Sequence, residues 1–275
     1  PKGVEWKGDA MALAHCLTFD PNTRCSVLAC IVSARENARH VREQISTEMW
    51  QRLNSLYLQV TRPDLQSSLS MQASGQNQNE APTEFLSQVM EAVHQFQGVT
   101  DSTMSHGEGW QFIQVGRYIE RASATGILLE AYQPELWTAQ DALPDSNEYL
   151  EWMGLLRSAT AFEAYCKVYT ADLAPDWILE FLLLDPDFPH SLRFSIDAMQ
   201  HALEAVQSVS GGTRSDKLER IAGRLRATLS YSSVEEIMSR NVVTYLHDIQ
   251  VQCREIHNAI YELYVDYSIQ AALAG

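Results

Sequence analysis

Lysine is scarce in this chain, glycine and proline are sparse, and the charge balance runs strongly to the acidic side. Each shortage removes a class of protein. With 13 glycines and 9 prolines in 275 residues there are too few turn-formers for a sandwich or barrel, whereas the abundant Ala, Leu, Glu, Gln and Arg all favour helix. A formal net charge of -15 leaves no general basic footprint for a phosphate backbone, which argues against a nucleic-acid binder. No apolar run is long enough to cross a bilayer; the richest, Trp177 to Leu184, is far too short, and no basic-then-apolar leader opens the chain. The expectation is a protein that partners neither nucleic acid nor membrane. The five cysteines, Cys16, Cys25, Cys30, Cys166 and Cys253, are odd in number and lack metal-knuckle or redox spacing. That predicts reduced, mostly buried thiols and a cytoplasmic location.

Signatures of common chemistries are missing as well. There is no HExxH, and no carboxylate–histidine spacing suited to a di-metal bundle; His247 and His257 are ten residues apart in ordinary helix sequence. Gly211-Gly212 lacks the Lys-Ser/Thr that completes a phosphate loop, and no nucleophile elbow is present. No metal, cofactor or catalytic residue is therefore assigned.

What is present is helical periodicity. A hydrophobic content of 45% in a chain of this length supports a large core. From Ser26 to Tyr57, apolar residues at Val27, Ile31, Ala34, Ala38, Val41, Ile45, Met49, Leu53 and Leu56 keep one stripe in steps of three and four, which predicts a single unbroken helix. Asp20-Pro21-Asn22 is expected to start and cap it, after the tail of an earlier helix within Lys2 to Phe19. Residues 66–81 are polar and read as a mobile loop, and a helix restarts at Pro82-Thr83. A connector from Thr100 to Gly109 leads to a helix from Trp110 to Tyr132, in which the small residues Gly116, Ser123 and Gly126 would admit a close neighbour. Pro134 to Ser146 is a second connector, followed by a helix from Glu148 to Thr170 and a short one from Pro175 to Leu184. Further helices are carried by Leu192 to Val206, by Leu218 to Leu229, by a capping box at Ser233 and Glu236, and by Val242 to Tyr267. The fold class is all-α, a multi-helix up-and-down bundle in one helical domain over residues 1–275. One internal echo suggests two packed bundles from a duplicated unit: Asp20-Pro21 before Ser26 matches Asp185-Pro186 before Ser191 at the same offset. Asp-Pro is also a common way to begin a helix, so both readings stand.

The polar edge of the first long stretch carries Arg35, Arg39 and Arg42 at i, i+4 and i+7, with Glu36 and Glu43 one position round. A second group, Arg117, Glu120 and Arg121, lies on the Trp110–Tyr132 helix. Arg and Glu three or four apart are ordinary surface pairs; if the two helices met, the same residues would line a polar cavity. Residues 1–60 are nearly balanced in charge, so the arginines are set against an acidic remainder.

These segments carry a resemblance. Ala34 to Ser46, then Glu48-Met49-Trp50 and Leu53-Asn54, with Gly116-Arg117-Tyr118-Ile119-Glu120-Arg121-Ala122, resemble the bacterial Alpha-E domain family, an alpha-helical domain with an ER motif. Leu218-Glu219-Arg220 also looks like it. The resemblance implies an all-helical protein encoded beside, or fused to, a circularly permuted ATP-grasp ligase, often with a transglutaminase-like peptidase, in a system that makes or attaches peptides. That resemblance, together with the lack of any catalytic signature, points to a non-catalytic partner whose Arg35, Arg39, Arg42, Arg117 and Arg121 hold an anion or an acidic surface, oriented by Glu36, Glu43 and Glu120; purely structural arginines would instead bind no anion. The alternative is an enzyme acting on an activated acyl or peptidyl intermediate, with Glu43 or Glu120 as general base and arginines stabilising an oxyanion. Family members usually open with a helix bearing another Gly-Arg-x-x-Glu-Arg; none precedes Lys2, and with Pro1 standing where Met would, that helix is either trimmed away or absent, in which case a pocket built from three such motifs would be incomplete.

Overall fold

The computed structural model describes residues 10–62, 80–132, 146–170, 172–209 and 216–266, and every regular element among them is helical. The fold is all-α. Two compact units divide it, Pro1–His106 and Gly107–Gly275, each with its own apolar core.

The first unit is a ring of four helices: α1 (Ala10–Phe19), α2 (Val27–His40), α3 (Thr47–Val60) and α4 (Glu80–Thr103). α2 packs on α1 and α3, and α4 closes the ring against α3 and α1. Leu28, Ile31, Leu56, Val60, Phe85 and Val89 form its core, with Phe19 tilted on Phe85 at 4.7 Å. The single helix expected from Ser26 to Tyr57 is in fact two. Val41 ends α2, the Gln44 amide returns to the Val41 carbonyl at 2.9 Å, and Ser46 caps α3 by accepting from the Met49 amide at 3.1 Å. Glu48 in the first turn adds favourable charge to that new N-terminus. The apolar period runs on through the turn, yet Ala34 and Val41 are exposed and Leu28 is buried in place of Val27.

α4 also departs from expectation. It begins at Glu80, two residues before Pro82, and runs through Thr100 to Thr103, so the connector shortens to 104–107. Thr100 is buried and returns its hydroxyl to the Phe96 carbonyl at 2.8 Å. Of the expected mobile loop, residues 66–79 lie outside the described residues.

In the second unit, α5 (Glu108–Ala131), α9 (Leu192–Val209), α10 (Asp216–Tyr231) and α12 (Val242–Tyr261) form the ring, each packed on the next and α12 returning to α5. α6 (Ser146–Ser158), α7 (Phe162–Tyr169), α8 (Pro175–Leu184) and α11 (Val234–Ser239) complete the unit, and α12 ends in a π-helical turn, Glu262–Asp266. α8 is buried through six of its ten residues and touches α6, α7, α9, α10 and α11. The helix expected from Glu148 to Thr170 is split. Ala161 N–H reaches Leu156 O at 2.7 Å and Thr160 N–H reaches Arg157 O at 3.0 Å, a Schellman ending with Thr160 at φ 52°. Close approach is seen at Gly126, where a Cβ would lie 3.4 Å from Gln250 of α12, but Gly116 is exposed with nothing near it.

Asp20 does not cap α2, which starts seven residues later. Its carboxylate instead closes a local turn, accepting from Asn22 N–H at 2.9 Å and the Thr23 hydroxyl at 2.8 Å. The cap is Ser26, which accepts from Ala29 N–H at 3.1 Å while donating its hydroxyl to the Asp20 carbonyl at 2.6 Å. The second unit repeats the device. Asp185 accepts from the amides of Asp187 and Phe188, Ser191 donates to the Asp185 carbonyl, and Ser191 accepts from Phe194 N–H at 3.0 Å. Both serines are fully buried. The shared hydrogen bonding gives the sequence echo a physical basis.

Candidate functional site

In the first unit, α2 and α3 place Arg35 against one face of α3. Trp50, Asn54 and Tyr57 stand at i, i+4 and i+7 on that helix. Arg35 Nε donates to Asn54 Oδ1 at 3.0 Å, and its guanidinium lies 4.3 Å from the Tyr57 ring and 5.6 Å from Trp50. Its Nη1 pairs with Glu36 at 2.7 Å. The Glu36 carboxylate also meets Arg39 at 3.5 Å, and Arg39 is 68% exposed. The ladder of three arginines predicted on one helix ends there, because the turn after α2 carries Arg42 and Glu43. Arg42 leans over Trp50 at 5.8 Å and donates to the Ile45 carbonyl at 3.4 Å, while Glu43 is exposed.

In the second unit, Arg117 and Arg121 lie one helical turn apart on α5, both over Tyr118, at 5.6 and 5.3 Å. Tyr118 meets Phe194 of α9 edge-on. Arg121 Nη1 donates to the Pro189 carbonyl at 3.0 Å, and Thr125, one turn on, donates its hydroxyl to the His190 carbonyl at 3.0 Å. Both carbonyls belong to the Asp185–Ser191 turn, so α5 grips the start of α9. Burial, and then the like charge of Arg117, pull Arg121 below the usual guanidinium range. It stays charged at neutral pH, and among the described residues it has no carboxylate partner. Glu120 is exposed.

The predicted cluster thus falls into two groups, Arg35, Glu36, Arg39, Arg42 and Glu43 in one unit and Arg117, Glu120 and Arg121 in the other. The residues that hold the arginines, Asn54, Tyr57 and Tyr118, were not anticipated as such. For Asn54 and Tyr57 the available signal was their i+4 and i+7 spacing from Trp50. The expectation of mostly buried thiols also fails: Cys25 and Cys30 are exposed, and of the five only Cys253 is buried, its thiol pushed up to about 11 by burial. Among the described residues, no helix is long and apolar enough to cross a membrane, and no group of three His, Cys, Asp or Glu is arranged for a metal.

The model of the Alpha-E family, described as a predicted alpha-helical domain with a conserved ER motif, matches residues 3–265. An uncharacterized protein of Mycobacterium bovis is 25% identical over 226 residues, covering 80% of this chain and 23% of its own length. Uncharacterized proteins from two strains of Mycobacterium tuberculosis align over the same length at 25% and 24%. The chain therefore spans about a quarter of the curated relatives it matches. No solved structure matches.

Proposed function

The chain belongs to the Alpha-E family, and on that premise we propose that it is a non-catalytic helical partner of a circularly permuted ATP-grasp peptide ligase, holding a carboxylate, a phosphate or the ligase's acidic surface on guanidinium groups. The observation that carries this reading is Arg121: half-buried, charged, braced by Tyr118 and one backbone carbonyl, and without a carboxylate partner among the described residues. A guanidinium so placed has both charge and N–H donors left for an anion. Arg39 adds an exposed cation whose ion pair with Glu36 is long. The size of the mycobacterial relatives supports an accessory role, since a segment that makes up about a quarter of a chain has larger neighbours to serve. The ligase and the transglutaminase-like peptidase are what the family resemblance implies, and a cytoplasmic location is what the cysteine usage suggests. The enzymatic alternative draws less support, because a general base beside an oxyanion works in a water-excluded site and both Glu43 and Glu120 are exposed.

The test is complex formation with a circularly permuted ATP-grasp ligase from the same organism, read by calorimetry and by product yield. Arg39→Ala should weaken the complex while leaving the unfolding midpoint unchanged. A chain that ignores the ligase and does not alter its yield refutes the proposal. Turnover by the isolated chain that disappears in Glu43→Gln or Glu120→Gln establishes the enzyme instead.

A further inference from the structure

The two units share more than a turn. α1 and α8 are each 10 residues long, each leads into an Asp-Pro turn closed by a buried serine, and α2 and α9 begin directly after those serines. Positions in the two units therefore correspond at one constant offset: Ala10 answers to Pro175, Asp20 to Asp185, Ser26 to Ser191 and Val27 to Leu192. Repeated units that share a backbone are expected to bury the same helix faces.

One face breaks that rule. On α9, Ser195, Met199, Ala202 and Val206 form a stripe at i, i+4, i+7 and i+11, and none is more than 3% exposed. α5 packs along α9 there: Tyr118 meets Phe194, and Arg121 and Thr125 donate to the carbonyls of Pro189 and His190 just before the helix. The corresponding stripe on α2 is Cys30, Ala34, Asn37 and Val41, and all four are exposed, Val41 to 44%. Arg24 and Cys25, which stand where Pro189 and His190 do, are exposed as well. The rest of α2 obeys the repeat, since Ile31 and Ala38 are buried just as Ile196 and Leu203 are. The core-facing half of the pattern is kept, and the half on which the second unit seats a helix is turned to water.

We propose that this face of α2 seats a partner helix as α9 seats α5. Its occupant is an amphipathic helix that lays an apolar face on Cys30, Ala34 and Val41, whose small and medium side chains let a neighbour approach closely. That helix carries an arginine that donates to the Arg24 carbonyl and, one turn on, a serine or threonine whose hydroxyl donates to the Cys25 carbonyl, the pair that Arg121 and Thr125 present to the equivalent turn. The seat does not depend on the ligase-partner reading, and either can fail without the other.

The probe is a synthetic peptide with the sequence of α5, Glu108–Ala131, titrated into the ¹⁵N-labelled full chain, with a scrambled peptide of the same composition as control. Saturable shifts are expected at the amides of Ala34, Asn37 and Val41, while those of Met199 and Ala202, already covered by the chain's own α5, stay in place. Arg121→Ala in the peptide should weaken binding about tenfold by removing one charge-assisted contact, and Ala34→Arg in the chain should weaken it at least as much by filling the seat. Ala34 is exposed and arginine is a good helix former, so that variant stays folded. Absence of saturable shifts, equal shifts with the scrambled peptide, or affinity unchanged in Ala34→Arg overturns the proposal. Movement of the same amides with chain concentration alone, matched by self-association in sedimentation, assigns the face to a second copy and overturns it too.

Discussion

Replacing Arg35 with alanine tests whether the first arginine group is architecture or binding surface. The side chain is 23% exposed and makes three kinds of contact, with Asn54, with Glu36 and with the rings of Tyr57 and Trp50. The charged hydrogen bond to Asn54 is worth about 1.5 kcal/mol at this partial burial. Stacking over Tyr57 at 4.3 Å contributes about 1 kcal/mol. The pair with Glu36, itself 41% exposed, adds only a few tenths, about 0.3 kcal/mol, after screening. Arg35→Ala should therefore destabilise the first unit by about 2–3 kcal/mol, and Arg35→Lys by roughly half of that, because an ammonium keeps the charge but loses the Nε–H bond to Asn54 and the flat face over Tyr57. Amide hydrogen exchange in α2 and α3 reads the loss locally, and an Arg35→Ala/Asn54→Ala cycle should return a coupling near 1 kcal/mol, of the order expected for residues in direct contact. If α2 and α3 keep their protection in Arg35→Ala, the side chain does not hold the helices together and the structural account of this residue is wrong.

Ser26→Ala and Ser191→Ala should each destabilise their own unit by about 1–2 kcal/mol, since each removes a helix cap and a hydroxyl bond to the Asp20 or Asp185 carbonyl; urea midpoints check this. Thr160→Gly should raise the thermal midpoint, gaining about 1 kcal/mol by relieving a β-branched residue at φ 52°. Cys253, its thiol at about 11 against an ordinary value of 9.0, should resist iodoacetamide at pH 8 while exposed Cys25 is labelled. A raised thiol pKa stabilises the fold below pH 9 and loses that contribution as pH climbs toward 11, so Cys253→Ala should flatten the alkaline limb of the stability curve.

Much of the helical order was visible in the sequence because burial imposes the period directly. In α12, Val242, Leu246, Ile249, Cys253 and Ile256 are all buried, as their spacing predicts. The breaks were hidden because nothing in their composition marks them. Val41 and Ile45 continue the apolar register across the turn between α2 and α3, and the interruption is made by the Ser46 cap without glycine or proline. Thr160 occupies a left-handed position that glycine usually announces. For the candidate groups, residue identity was readable but service was not. That Arg121 would reach a carbonyl 68 residues away depends on α5 packing on α9, which no local pattern encodes.

The contacts also sort the arginines by what they have left to give. Arg35 spends its donors on Asn54 and Glu36 and its face on Tyr57. Arg42 is drawn into its own turn by the Ile45 carbonyl. Arg39 shares Glu36 with Arg35 at the longer distance, and Arg121 has one carbonyl and no carboxylate among the described residues. Anion affinity in a set of like charges belongs to the members whose charge is least neutralised. Inorganic phosphate should therefore shift the guanidinium Nε–H resonances of Arg39 and Arg121 and leave that of Arg35 in place, and the shifts should fade as salt is raised. A response centred on Arg35 would mean that its bonds to Asn54 and Glu36 open readily, and the division between holding the helices and holding an anion would have to be redrawn.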